Sequence, residues 1–212
     1  MPLENQGLFC GRSEVMGMAA IEGKEVALFP TRVWLFQPDE KLNTSLDRIQ
    51  DLLLIWLAEE KLDPQSWRSA RGCWRLENAH LKPELKEITE HLKIIIKKVC
   101  QACGISSDRR EFGSWIDVMD TWGSHVCHHH APNVLSGVFY IAKPEGAGNL
   151  ILRDPRPARS WHEPSAQALE IPVEAAPGST IVFPSWLEHY VEASAGNEGR
   201  IALSFNVGAE LK

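Results

Sequence analysis

Hydrophobic and polar positions change their period along this chain, and each period predicts a different element. Leu46, Ile49, Leu53, Trp56 and Leu57 recur every three to four residues, which predicts an amphipathic helix over about 44–61. Thr44 and Asp47 stand at capping-box spacing at its start, and Asp63-Pro64 ends it. A second helix is predicted over about 83–102. Pro83 suits its first turn, and Leu85, Ile88, Leu92, Ile95 and Val99 form one apolar face. Lys97 and Lys98 lie near its C-terminal end, where the helix dipole favours cations, and Gly104 stops it. Both helices read as packing elements, with His91 on the second as a solvated surface residue.

From about residue 112 the period shortens to two. The predicted strands are Trp115–Met119, Val126–His130, Gly137–Ile141, Asn149–Leu152, Ala168–Val173, Thr180–Pro184 and Ile201–Val207. Turn signals such as Gly146-Ala147-Gly148, Asp154-Pro155-Arg156-Pro157 and Pro177-Gly178-Ser179 separate them. Upstream, Ala27–Phe36 reads as a strand interrupted at Pro30, suited to a sheet edge, and Ser66–Asn78 reads as a loop. Many short strands after two helices predict an α+β, mainly β chain built on a sandwich or jelly-roll. The expected organisation is a lead-in over 1–26 and one domain over 27–212, with its β-core at about 112–208.

Composition narrows the partners. The 212 residues are 24% charged and 44% hydrophobic, with a net charge of −6, which argues against a general nucleic-acid or anionic-membrane binder. No apolar run approaches the roughly 20 residues of a membrane span. The first residues carry Glu4, Glu14 and Glu22 without a basic-flanked apolar core, so no secretory signal is expected. Five cysteines (10, 73, 100, 103 and 127) make an odd count without disulfide-framework spacing. That fits reduced thiols and a cytoplasmic location. Cys100-Gln101-Ala102-Cys103 matches C-x-x-C, a redox or zinc pattern, but it ends a helical pattern and has no second pair.

Four of the eight histidines fall within His125-Val126-Cys127-His128-His129-His130. In an extended chain His128 and His130 share a face, while His125 and His129 face away. Two imidazoles on a strand make half a metal site, and His189 lies in a second strand-like segment, Ile181–His189. A surface histidine cluster is the alternative. Further on, Arg200-Ile201-Ala202-Leu203-Ser204-Phe205-Asn206 alternates cleanly, with Arg200, Ala202, Ser204 and Asn206 on one face. That face meets solvent in an ordinary sandwich. In a jelly-roll with a pocket it lines the interior, where the planar fork of Arg200 suits bidentate capture of a carboxylate.

These stretches, with Ser136-Gly137-Val138-Phe139-Tyr140, Asp154-Pro155-Arg156 and Phe183-Pro184-Ser185-Trp186-Leu187-Glu188-His189, resemble a family of small 2-oxoglutarate/Fe(II)-dependent oxygenases. Leu28-Phe29-Pro30-Thr31 and Ser69-Ala70-Arg71-Gly72-Cys73-Trp74 resemble the start of that family, so the likeness spans about residues 27–208. It implies a double-stranded β-helix (jelly-roll, cupin-like) holding Fe(II), with 2-oxoglutarate and O₂ as co-substrates. Such iron sites commonly use two His and one carboxylate. Here His130 stands where the carboxylate would be. The resemblance therefore implies either a three-His set (His128, His130, His189) or a His130 that serves the substrate, with His125 supporting the ligands from behind.

By the same resemblance Arg200 would clasp the distal carboxylate of 2-oxoglutarate, beside Ser204 and either Tyr140 or Ser136. The reaction would be oxidative decarboxylation to succinate and CO₂ coupled to hydroxylation of a C–H bond. The substrate, a small molecule or a peptide, is left open, as is the oligomeric state, a homodimer included. Asp154-Pro155-Arg156 reads as a turn with a structural ion pair, and Trp74, Trp122 and Trp186 as core or cleft residues. The sequence departs from the family pattern at Ala202, Asp117, Ala70 and Cys73, where relatives carry Ser, Asn, Asn and Gly. Two rival readings stand beside the oxygenase: a three-His, cupin-type iron enzyme without keto-acid, and a degenerate metal-binding module without catalysis.

Overall fold

Alternation along Arg200–Val207 organises the molecule, because its two faces look into two different interiors. The computed structural model describes residues 30–65, 69–108, 110–156, 169–195 and 199–210. In chain order these form β1 (Trp34–Phe36), α1 (Asn43–Ala58), β2 (Asp63–Gln65), β3 (Ala70–Glu77), α2 (Lys86–Cys103) and β4 (Arg110–His128). Then follow β5 (Leu135–Ala142), β6 (Leu150–Arg153), β7 (Glu170–Val173), β8 (Thr180–Pro184), β9 (His189–Val191) and β10 (Arg200–Glu210). Val33–Lys212 is one compact unit.

The strands run β1-β8-β5-β10-β4-β9-β6-β7, with β3 on the free side of β4 and β2 beyond it. All these pairings are antiparallel. The sheet curls because β4 serves two neighbours in turn. It pairs with β10 as far as Met119 and with β9 from His125 onward. Between them Trp122 takes a left-handed backbone (φ 67°) and the register slips, as a bulged strand does when it bends from one sheet into another.

One face of the curl packs on the helices. Ile201, Leu203, Phe205 and Val207 of β10 join Ile116 and Val118 of β4 and Phe139 and Ile141 of β5 against Ile49 and Leu53 of α1 and Ile88, Leu92 and Val99 of α2. Each such side chain removed from water contributes about 1.5–3 kcal/mol, so this layer anchors the scaffold. Gly137 belongs to it by necessity, since a Cβ there would lie 2.2 Å from the Phe205 ring. The other face looks into the curl, where Met119, Val138, Tyr140, Phe183 and Ala202 form a second apolar cluster.

Several expectations need correction. Ser66–Asn78 is not a loop throughout: 70–77 form a strand, paired with a short strand at 63–65 that precedes the expected loop. The inward positions of 70–77 are Cys73 and the charged Arg75 and Glu77, which disguised the period of two. Trp115–Met119 and Val126–His130 belong to a single bent strand that ends at His128, leaving His130 in the following turn. Ile181–His189 is two strands with a turn over 185–188. The helices span 43–58 and 86–103, the second preceded by a 3-10 turn at Pro83–Leu85. Leu42, not Thr44, occupies the N-cap of α1, and no side chain caps it. His91 is half-buried, its ring 6.3 Å from that of Phe139. The expected lead-in, and Ala27–Phe29 of the expected edge strand, lie outside the described residues.

Candidate metal centre and its cavity

β4 and β9 pair with His128 directly opposite His189, which puts their ring centroids 4.4 Å apart. The turn after β4 brings in His130, 4.9 Å from His128 and 5.1 Å from His189 by the same measure. One ring nitrogen from each of the three lies within 4.8 Å of the others. His128 Nδ1 sits 2.7 Å from the Val126 carbonyl, and His189 Nδ1 2.8 Å from that of Leu187. A carbonyl only accepts, so both Nδ1 atoms carry the proton and both Nε2 atoms are left with a lone pair, the usual preparation of a metal-binding imidazole. His130 is held through its backbone: its N–H donates to Ser185 O, and its carbonyl accepts from Asn133 Nδ2.

Burial, followed by the neighbouring imidazoles, keeps these rings neutral. His189 is pushed down to about 3 and His130 to about 4, and His128 is also lowered, chiefly by burial. A histidine in the unfolded chain protonates near 6.5. Between about pH 6.5 and 3 the unfolded state thus binds more protons, so these groups make stability fall as pH falls, with no loss above that window. The metal-free protein is expected to lose thermal stability progressively from pH 6.5 to 5, a range in which ordinary carboxylates barely titrate. A thermal midpoint that stays level or rises over that interval contradicts the assignment.

The three rings open into a cavity of about 630 Å³ whose lining includes Arg75, Trp115, Asp117, Arg200, Ser204 and Asn206. Arg200 is 2% exposed, its guanidinium 5.1 Å from the centre of the Tyr140 ring and its Nη1 3.6 Å from Met119 Sδ. Both Arg200 Nε and Tyr140 Oη are buried without a hydrogen-bond partner among the described residues. Buried donors left unpaired cost stability, and an acceptor-only group such as a carboxylate would satisfy both. Ala202 lies opposite Tyr140 on one side and Asp117 on the other, so its methyl group leaves this corner open. Ser204, the next inward residue, lines the cavity and is half-buried. Ser136 stands apart from Arg200, opposite Asn206, and its hydroxyl bonds Ser185 Oγ and Asn206 Oδ1.

His125 turns inward, contrary to the regular-strand expectation, because the bulge between His125 and His128 shifts the parity. Its Nε2 lies 3.4 Å from Asp117 Oδ2 and its ring 5.9 Å from that of His128. Asp117 is a hub. It accepts from Arg75 Nε at 2.7 Å and Nη2 at 2.9 Å, and from Trp115 Nε1 at 3.2 Å. Burial pushes its carboxyl up, but the nearby His125 and the hydrogen-bonded Arg75 outweigh this and hold it below the usual range. Cys73 also approaches this group. Its thiol is pushed up to about 12 by burial and Asp117, and the carboxylate is committed to Arg75, so the group is a hydrogen-bonded brace rather than a second metal site.

Arg75 and Trp115 escaped the sequence reading. Trp115 packs its ring 5.7 Å from that of His130 and 5.2 Å from the Arg75 guanidinium carbon. The pairing of Trp115 with Asp117 at a spacing of two was the available signal, whereas Arg75 was hidden in the apparent loop. Of the other tryptophans, Trp122 and Trp186 are 70% and 51% exposed and Trp74 packs toward the helices; none lines this cavity. Cys100 is fully buried within α2, with its thiol pushed up by burial, which suits packing rather than redox exchange. Arg156 and Asp154 form the expected ion pair.

A curled jelly-roll with imidazoles at its mouth and a buried arginine inside is an arrangement suited to a bound metal ion and an anionic ligand beside it. Residues 113–206 match the family model described as "Putative 2OG-Fe(II) oxygenase", a span that contains His128, His130, His189 and Arg200. Over that span the chain is similar to the 2OG-Fe(II) oxygenases, an enzyme class that uses Fe(II), 2-oxoglutarate and O₂. No curated protein matches the chain. Among solved structures, a Pseudomonas putida prolyl-4-hydroxylase shares 14% identity over 85% of this chain and 94% of its own, at TM-score 0.64. A Trichoplax adhaerens prolyl hydroxylase, solved with a hypoxia inducible factor peptide, shares 10% over 83% of each chain at 0.60. HygX from Streptomyces hygroscopicus, with nickel and 2-oxoglutarate bound, shares 9% over 84% of this chain and 83% of its own at 0.58. These likenesses establish the double-stranded β-helix fold. No helix among the described residues is long and apolar enough to cross a membrane.

Proposed function

We propose that the chain is a hydroxylase in which His128, His130 and His189 hold Fe(II) and Arg200 binds the distal carboxylate of 2-oxoglutarate. Bound iron and keto-acid supply the oxidising chemistry: decarboxylation to succinate and CO₂, with one oxygen atom delivered to a substrate C–H bond. The protein's own residues do the rest. His128 and His189 present Nε2 from a paired strand, fixed by their carbonyl partners. Arg200 and the Tyr140 hydroxyl offer buried donors to the carboxylate, with Tyr140 standing in for the hydroxyl that Ala202 lacks. Ser204 flanks the path between Arg200 and the histidines, and Ser136 belongs to the far wall. The free thiols of Cys73, Cys100, Cys103 and Cys127 suit a reducing compartment, and we place the enzyme in the cytoplasm.

The observation that carries this reading is the unpaired, buried Arg200 Nε in the cavity onto which three neutral imidazoles open. Neutral ligands leave the full charge of the ion on the site, so a doubly anionic keto-acid is the favoured partner. Anaerobic titration with Fe(II) and 2-oxoglutarate is the test. The visible charge-transfer band of the chelate is expected to saturate with both components present, and metal binding without that band rejects the keto-acid reading.

A further inference from the structure

The lining of the cavity divides along β10, with Arg200 at one end and Asn206 six residues away, roughly 20 Å at a strand's rise. The Asn206 end carries a chain of hydroxyls whose protons can be placed. Ser185 is fully buried, its Oγ is 2.7 Å from Ser136 Oγ, and Ser136 Oγ is 2.7 Å from Asn206 Oδ1. If Ser185 donates to Ser136 and Ser136 to Oδ1, every hydroxyl proton has an acceptor. Turning the Asn206 amide over reverses the chain and strands the Ser185 proton in the interior. The amide oxygen is therefore occupied. Its NH₂ group has no acceptor among the described residues, on a half-buried side chain that lines the cavity.

The surroundings limit what that NH₂ can meet. Its inward neighbour on β4 is Gly113, where an added Cβ would touch nothing within 4 Å, so open space lies beside the amide. The next inward row, across β3, β4 and β10, is Glu77, Trp115 and Ser204. Arg75, the cation on this wall, is engaged by both oxygens of Asp117. A ligand carboxylate here would face Glu77 without a released cation to balance it, whereas a neutral carbonyl oxygen needs only a donor.

We propose that Asn206, aligned by Ser136 and Ser185, is the substrate-binding donor of this cavity and takes the carbonyl oxygen of a neutral, amide-bearing substrate. The proposal rests on reading the cavity as the oxygenase site. It assigns the Arg200 end to the keto-acid and the Asn206 end, beside Trp115 and His130, to the molecule that is oxidised.

The full chain, labelled with ¹⁵N-asparagine and ¹⁵N-tryptophan and loaded with Zn(II), is titrated with N-acetylglycinamide. The Asn206 side-chain NH₂ pair, assigned by its disappearance in Asn206→Asp, is expected to shift saturably, and acetate is expected to produce no such shift. Ser136→Ala frees the amide to turn over and should weaken binding three- to tenfold, as the loss of one aligned hydrogen bond implies. Should that variant not fold, Asn206→Leu serves, with occupancy read at the Trp115 indole N–H, and it should weaken binding at least as much. An unmoved Asn206 pair, an equal response to acetate, or variants that bind like the wild type each overturn the proposal. Because the titration uses zinc and no keto-acid, its outcome is independent of the chelate band that tests the functional reading.

Discussion

Replacing Arg200 by Ala or Met is expected to weaken 2-oxoglutarate binding about a hundredfold or more and to leave Fe(II) binding within a few-fold of wild type. The magnitude follows from burial. Arg200 is 2% exposed and is aligned by Met119 and the Tyr140 ring rather than by an internal carboxylate. A carboxylate bound there exchanges water for a dry, preformed fork, and truncating one partner of such a pair typically costs about 2–5 kcal/mol. Met is the more informative variant, because it fills the space and separates lost charge from an emptied core. Lys should recover only part of the affinity, since it keeps the charge but lacks Nε and the planar fork. Anaerobic titration of the chelate band gives both affinities. A keto-acid-independent enzyme would keep its turnover in Arg200→Met, and that result would favour the cupin-type alternative.

The helices and most of the β-core were legible because each of those elements carries at least one apolar face, which writes its period into the sequence. Ile88, Leu92, Ile95 and Val99 recur as α2 requires, and Ile201, Leu203 and Phe205 alternate as β10 requires. The readings that failed share a cause. β3 turns a buried Arg75 and an exposed Glu77 toward the cavity and its rim, so charged residues stand where an apolar face would be and its pattern resembles that of a loop. The continuity of β4 was hidden by its bend, where Gly123 packs so tightly against Gly72 and Asp120 that a Cβ would lie 2.7 Å from the Gly72 carbonyl. A strand that changes sheets carries no single period.

The candidate site divides the same way. His128 and His189 stand 61 positions apart, and only the register of β4 on β9 makes them neighbours. Their motifs drew attention to both, but no local pattern announces a pairing across two strands. His125 was misdirected by parity, since a bulge of one residue reverses which side chains look inward. Asp117 and Trp115 support the centre through contacts with His125 and His130 that have no sequence spacing at all. Chemistry-bearing residues were thus visible one by one, and the brace that orients them was not.

His189→Ala and His130→Asp are expected to separate the two roles available to a third imidazole. His189 is buried, neutral and locked by the Leu187 carbonyl, so its loss removes a preformed ligand and leaves a hole that water fills poorly. Fe(II) or Co(II) affinity should fall at least about a hundredfold, beyond the range typical of supporting residues. Among the described residues His130 has no such lock on its ring, and it sits just after β4, where a shorter carboxylate can occupy the same position. His130→Asp should therefore keep or tighten metal binding while weakening 2-oxoglutarate, because a fixed negative charge replaces a neutral ligand beside a doubly charged ion. Metal affinity by competition with a chelator, together with the Co(II) absorption spectrum, checks both. Unchanged metal affinity in His130→Ala would remove His130 from the ligand set and assign it to the substrate, leaving His128 and His189 as the protein's share of the coordination sphere.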